Sequence, residues 1–273
     1  GLLDATVLCG TQLFHHAGIR YRGNTTRTRT PRPYRIDLGK DRSLFGLDEL
    51  NLNSFRPAPQ VLNYDLHRRA GAVAPWAGSV FVCVNGGMLQ HYALVEAVDN
   101  DFLEDAYPDD DPIRSLYRSA TRAVRRNRWE DPSLAELLQP LAIDQSIRYH
   151  AIQAVSAAYD TYWQGNAEDV YIYRRAAESA FHLIPWDSDL AFQAPAYPLY
   201  GRANRPVLIQ YADRYYQNII QLMEGPFSIE TMQERIQALY GATAVDTAAE
   251  LAFVTGRHAF LNERVTLAVT SSV

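Results

Sequence analysis

The chain has almost no lysine: Lys40 stands alone, so 25 of the 26 basic residues in its 273 positions are arginines. Any site that ordinarily uses an ammonium must here use a guanidinium, a planar fork of donors that does not act as a point charge. Cysteine is nearly as scarce. Cys9 and Cys83 fit no metal-ligand spacing, and they read either as a disulfide pair in an oxidising compartment or as two small apolar residues on strands. No apolar run reaches membrane-spanning length and no charged-then-apolar leader opens the chain, so no membrane span is expected. The start at Gly1 rather than Met leads us to expect a fragment of a longer protein. A net charge of −5 argues against a general polyanion binder, and nucleic acid is not an expected partner. Also missing are a nucleophile elbow, an HExxH zinc motif, a Walker loop and a dinucleotide fingerprint.

What is present divides the chain in two. With 47% hydrophobic residues it can bury a full core, as one large domain or two small lobes. Between Thr6 and Leu38, Ile19 and Tyr21 and then Tyr34, Ile36 and Leu38 alternate around a polar loop at 24–33, which predicts an antiparallel strand pair. Val61, Leu62, Leu66 and Ala70 predict a helix from Gln60 to Ala70, stopped by Gly71. Ser79 to Val84, the turn Asn85-Gly86-Gly87 and Met88 to Val98 read as a hairpin, because Asn-Gly accommodates positive φ. Residues 1–98 are therefore β-rich. Beyond Asp99, the acidic turn Asp109 to Pro112 and the basic stretch Arg122 to Arg128 read as solvated surface. Helical patterns follow at Ser133 to Tyr159, broken at Pro140 and reopened at Ile143, at 206–223 and at 229–240. Residues 99–273 are mainly helical.

Oxygen ligands converge inside this second part. Asp160 ends a helical run, Asn166 and Asp169 precede a hairpin with arms at Val170 to Tyr173 and Phe181 to Ile184, and Asp187 and Asp189 follow it. Hard oxygen donors suit Mg²⁺, which binds through a few carboxylates and a substrate's phosphates. Kinases place their base and metal ligands in the same order. In the first part, Gly23, Asn24 and Thr25 beside Arg22 read as an anion-binding strand end or as a plain hairpin loop. Arg32 and Arg35, on the returning strand, can reach the same anion or cover apolar surface with their stems. Glu96 lies in an apolar strand, where a carboxylate is costly without a partner; it reads as the bottom of a cleft or as a satisfied structural residue. His15 and His16 would point to opposite faces of a strand and are poor co-ligands.

In order, the segments Arg20-Tyr-Arg-Gly-Asn-Thr-Thr26, Pro33-Tyr-Arg-Ile-Asp-Leu38, the Asn-Gly hairpin with Tyr92-Ala-Leu-Val-Glu96, Asp169-Val-Tyr-Ile-Tyr-Arg174 and Leu183-Ile-Pro-Trp-Asp-Ser-Asp189 resemble the CotH family of spore-coat, kinase-like proteins. The resemblance covers about residues 6 to 225. It implies an α+β, protein-kinase-like two-lobed fold, with a β-rich N-lobe over 1–98 and a mainly helical C-lobe over 99–273. It implies ATP with Mg²⁺ or Mn²⁺ in the cleft and transfer of the γ-phosphoryl group to Ser or Thr of a protein acceptor. On this resemblance Asp160 is the catalytic-loop Asp, Asn166 or Asp169 a metal ligand, Asp187 the Asp bridging metal to phosphates and Asp189 a second ligand. Arg22, Gly23, Asn24 and Thr25 would lie over the phosphates, with Glu96 to Val98 beside the adenine. Where the family carries a lysine-rich strand, this chain offers Arg32 and Arg35, and Gln90-His91 replaces a glycine. A pseudokinase, or a non-catalytic coat-assembly module, is the alternative. The expected location is extracellular or at a cell or spore surface.

Overall fold

The structure, a computed structural model, describes residues 1–23, 25–110, 116–118, 142–164, 169–175, 180–201 and 205–270. Asn24, Asn166, the basic stretch at 122–128 and the helix expected at 133–140 lie outside the described residues.

Alternation of apolar and polar residues builds one six-stranded antiparallel sheet. Its strands are β1 (Leu3–Cys9), β2 (Gln12–Tyr21), β3 (Tyr34–Asp37), β4 (Glu49–Asn53), β5 (Ala77–Val82) and β6 (Gln90–Glu96), in the order β1-β2-β3-β4-β6-β5. Because side chains alternate across a strand, Glu49-Leu50-Asn51-Leu52-Asn53 sends both leucines to one face and its three polar residues to the other. Leu50 and Leu52 join Phe14, Ile36, Tyr92 and Leu94 in a core on the first face. The opposite face of β2, β3 and β4 is polar and becomes the floor of a cavity. The stretch read as one strand pair is three strands, since the chain reverses at Gly10, where φ is +58°, to form the β1–β2 hairpin. Cys9 and Cys83 sit by opposite edges of the sheet and are both free; Cys83 is exposed.

Helix α1 (Pro57–Arg69) joins β4 to β5 and packs on the sheet. Pro57 opens it without sacrificing a helical hydrogen bond, and Gly71, at φ +70°, follows its end. A second, larger core runs from α1, Ala93 and Val95 into the helices beyond. These are α2 (Asn100–Ala106), α3 (Ile143–Val155), α4 (Arg205–Gln210), α5 (Ala212–Glu224), α6 (Ile229–Tyr240) and α7 (Ala248–Thr270). The stretch at 206–223 divides at Tyr211, a break that apolar spacing does not register because Leu208, Tyr215, Ile219 and Leu222 are all buried. No helix among the described residues is long and apolar enough to cross a membrane.

Strands β7 (Leu116–Arg118), β8 (Val170–Arg175) and β9 (Ala180–Pro185) form a second antiparallel sheet. Gln145 of α3 docks it: its Nε2 donates to the Leu183 carbonyl at 2.5 Å, while its Oε1 accepts from Leu183 N at 2.9 Å. A side-chain amide thus substitutes for a further strand along the β9 edge. The fold is α+β, with a β-rich part before a mainly helical one, as the resemblance implied.

Two fully buried histidines lie between α1 and α3. Tyr149 packs at a tilt against both His67 and His150, with ring centroids 5.8 and 5.2 Å away, and burial pushes each imidazole down to about 3. A folded pKa below the unfolded value near 6.5 gives stability that is complete above pH 6.5 and drains away as pH falls towards 3. Urea denaturation at pH 7 and pH 5 should therefore show a loss of about 2 kcal/mol per histidine, and His67→Leu should remove roughly half of that acid sensitivity. An unchanged slope in the variant would rule out His67 as a contributor.

Candidate active site

A cavity of about 490 Å³ opens on the polar face of the large sheet. Arg20 of β2, Arg22 just beyond its end, Arg35 of β3 and Glu49, Asn51 and Asn53 of β4 reach it because they share one side of the pleat. Gly23, Thr26 and Arg27 close one end, and Ala97, Val98 and Asp99 follow from β6. Asp169 and Tyr171, at the start of the β8 arm, and Trp186, Asp187 and Asp189, just beyond β9, form the facing wall. Cationic floor and anionic wall thus meet in one space.

Local contacts fix the cations. Arg35 pairs with Glu49, directly across the β3–β4 ladder from Asp37 but within side-chain reach. Arg22 donates to Asn53 Oδ1 and lies 5.5 Å from the Trp186 ring centroid. That indole meets Tyr171 edge to face at 5.1 Å.

The 187–191 segment is gripped from α1. Arg56, the residue before the helix, donates through Nη1 to the carbonyls of Asp189 at 3.0 Å and Ala191 at 3.2 Å. One turn on, Gln60 Nε2 donates to Asp187 Oδ1 at 3.4 Å, and Asp187 N donates to the buried Tyr64 hydroxyl at 3.1 Å. Residues 56, 60 and 64 are neighbours on one stripe because they recur every four positions. Arg56, Asp160, Asp187 and Phe192 all have φ between +42° and +58°. This left-handed region costs an L-residue about 1 to 2 kcal/mol, so each depends on its surroundings to stay there.

Asp160 follows α3 and lies outside the cavity lining, but its charge is felt at Asp189. The loops carrying the two are tied together. Phe192 N donates to Ser156 O at 2.9 Å, and the buried Arg257 guanidinium donates to the carbonyls of Ala154, Pro195 and Tyr197 at 2.5 to 2.6 Å. Burial pulls that arginine down to about 10, and it remains charged at neutral pH.

The Asp189 carboxyl is pushed far above the usual carboxylate range, by burial first and then by the charges of Asp187 and Asp160, with Arg56 and Arg29 opposing. Crowded hard oxygens of this kind fit a divalent cation, whose charge would relieve the repulsion. Among the described residues no three His, Cys, Asp or Glu side chains gather closely enough to hold an ion on their own. Mg²⁺ ordinarily takes one or two carboxylates and completes its shell with phosphates and water.

Of the residues singled out in the sequence, Arg22, Gly23, Arg35, Val98, Asp169, Asp187 and Asp189 line the cavity. Arg32 does not: its guanidinium lies 4.6 Å from the Tyr21 ring centroid, on the apolar side of the sheet. Glu96 also faces that side, opposite Leu50, where its carboxylate accepts from Trp76 N at 2.7 Å. Burial raises its pKa, and the Trp76 bond and Arg68 partly offset this. Thr25 begins a short 3₁₀ turn, Thr25–Thr28. Sequence reasoning passed over Arg20, Arg27, Glu49, Asn51, Asn53, Arg56 and Gln60. The strict alternation of β4 was the available signal for three of them.

The chain matches the family model described as CotH kinase protein over residues 19–133 and 114–207. It belongs to the CotH family. It is 22% identical to inner spore coat protein H of Bacillus subtilis (strain 168), over 81% of this chain and 75% of that protein. Among solved structures, this CotH chain is similar to the Helicobacter pylori proinflammatory kinase CtkA, with a TM-score of 0.42, 9% identity and 88% and 95% of the two chains covered. A chain of the Shewanella oneidensis MR-1 toxin–antitoxin complex of HipA, HipB and operator DNA also gives a TM-score of 0.42, at 11% identity. There 80% of the CotH chain is covered, but only 57% of the other.

Since a raised Asp189 pKa means the ionised form is disfavoured when folded, that carboxyl subtracts stability as pH rises above its unfolded value near 3.9. Asp189→Asn should therefore raise the melting temperature of the ligand-free protein at pH 7.5, by about 2 to 4 °C for each kcal/mol relieved. A lower melting temperature would show that the carboxylate is not under electrostatic stress.

Proposed function

We propose that this CotH domain binds ATP with a divalent cation and transfers the γ-phosphoryl group to Ser or Thr of a protein acceptor. The observation that carries this reading is the meeting of Arg20, Arg22, Arg27 and Arg35 with Asp169, Asp187 and Asp189 around one cavity. The triphosphate would lie along the arginines, with Gly23 allowing close backbone approach and Val98 beside the base. Asp187 and Asp189 would hold the cation, with Asp169 or Asn166 as a further ligand. The cation, Mg²⁺ or Mn²⁺, supplies charge neutralisation between the phosphates. Asp160 would orient the acceptor hydroxyl and accept its proton as the oxygen attacks phosphorus and the bond to the leaving ADP oxygen breaks. We place the lobe boundary near Val98 and Asp99, and the protein at a cell or spore surface, in keeping with the spore coat relative.

A second reading, nucleotide binding without transfer, is favoured by Arg35. An arginine already paired with Glu49 stands where the family places lysine, and the two cations present charge to phosphate differently.

Thermal shift with ATP tests the shared part of both readings. ATP at about 100 times its Kd with Mg²⁺ should stabilise the protein by roughly 2.7 kcal/mol, and EDTA should remove most of that gain. Equal shifts with and without EDTA would sink the metal-dependent model. Asp187→Asn should weaken cation-dependent ATP binding, whereas Asp160→Asn should preserve binding and abolish transfer. The reverse pattern would exchange their roles. Arg35→Ala should weaken ATP far more than adenosine, and Arg32→Ala should affect neither; loss of ATP binding in Arg32→Ala would redraw the cleft.

A further inference from the structure

Arg22 and Asp187 stand on opposite sides of the cavity, but a continuous line of side-chain hydrogen bonds joins them. Arg22 Nη1 donates to Asn53 Oδ1; Asn53 Nδ2 donates to Gln60 Oε1 at 2.7 Å; Gln60 Nε2 donates to Asp187 Oδ1 at 3.4 Å. A primary amide accepts at oxygen and donates at nitrogen, so each link fixes the orientation of the next. Both amides point the same way, from guanidinium to carboxylate. Gln60 is fully buried, which removes competition from bulk water and lets successive dipoles polarise one another. The last link, at 3.4 Å, is the loosest.

We infer that Asn53 and Gln60 are positioning residues that couple the phosphate-facing arginine to the cation-facing aspartate, making nucleotide and divalent cation bind cooperatively. A phosphate that draws Arg22 forward changes what Asn53 and Gln60 can offer Asp187, and a cation that draws electron density from Asp187 is felt in reverse at Arg22. Coupling of this kind is reciprocal. Its expected size is that of one neutral hydrogen bond, about fivefold in affinity. The inference rests on the nucleotide and metal reading above.

The test is calorimetric titration of the whole chain with ATP, with and without Mg²⁺, the ratio of the two dissociation constants being the coupling. Gln60→Met keeps length and apolar fit but ends the line at Asn53, while Asn53→Leu ends it at Arg22. Each should lower the ratio by about fivefold, and the double variant should lower it no further, since either change breaks the same line. A purely structural role would lower the ligand-free melting temperature and leave the ratio alone. Either single variant suffices if the other does not fold. A ratio unchanged in a folded variant, or losses that add in the double variant, would overturn the coupling while leaving the nucleotide reading intact. A parent protein that binds no ATP in either condition would overturn both.

Discussion

Everything at this site depends on how α1 holds the 187–191 segment. That segment carries two carboxylates and, at Asp187, a residue in left-handed backbone conformation, with a second, Phe192, directly after it. Arg56, Gln60 and Tyr64 supply four hydrogen bonds to it across more than 120 positions of chain. Those from the guanidinium are charge-assisted and contribute about 1.5 to 3 kcal/mol each, comparable with the backbone strain they oppose. Tyr64 is fully buried and its proton is held well above the usual phenol range by that burial, so it remains a neutral partner at any ordinary pH. The helix is in turn fixed by the larger core, to which it contributes Ala58, Val61, Leu62, Tyr64 and Leu66, so sheet, helix and acidic loop are held together.

The electrostatic arrangement follows from the same geometry. Burial lowers the pKa of Arg56, and the attraction of the buried Glu250 of α7 and then of Asp189 offsets only part of that. One guanidinium is therefore attracted both by a carboxyl at the cavity and by one in the first turn of α7. Opposite, Arg22 and Arg35 are held by Asn53 and Glu49 rather than left to swing. Pre-oriented charge contributes more than the same charge on a mobile side chain, because little reorganisation remains when a ligand arrives.

Much of the fold was legible in the sequence because it follows local period. The Val170 and Phe181 arms, the helix after Gln60, the hairpin around Asn85-Gly86 and the helix at 229–240 all emerge as elements from alternation, helical spacing or turn chemistry. The order Asp160, Asp169, Asp187, Asp189 was legible for the same reason, since it is a property of one continuous stretch. What could not be read was partnership across the chain. Arg56 and Gln60 look like ordinary helix-start residues until a segment 127 to 135 positions away folds against them. Arg32 and Arg35 were equivalent candidates by sequence, although three positions apart on a strand means opposite faces; only the observed register shows which of them meets the cavity.

The arginine composition has a further chemical consequence. Since Lys40 is the only lysine and does not line the cavity, the cleft offers no primary amine. Acylating nucleotide analogues, which mark phosphate-binding sites by capturing a nearby amine, would find no amine there. A profiling survey built on that chemistry would therefore leave this cleft unmarked.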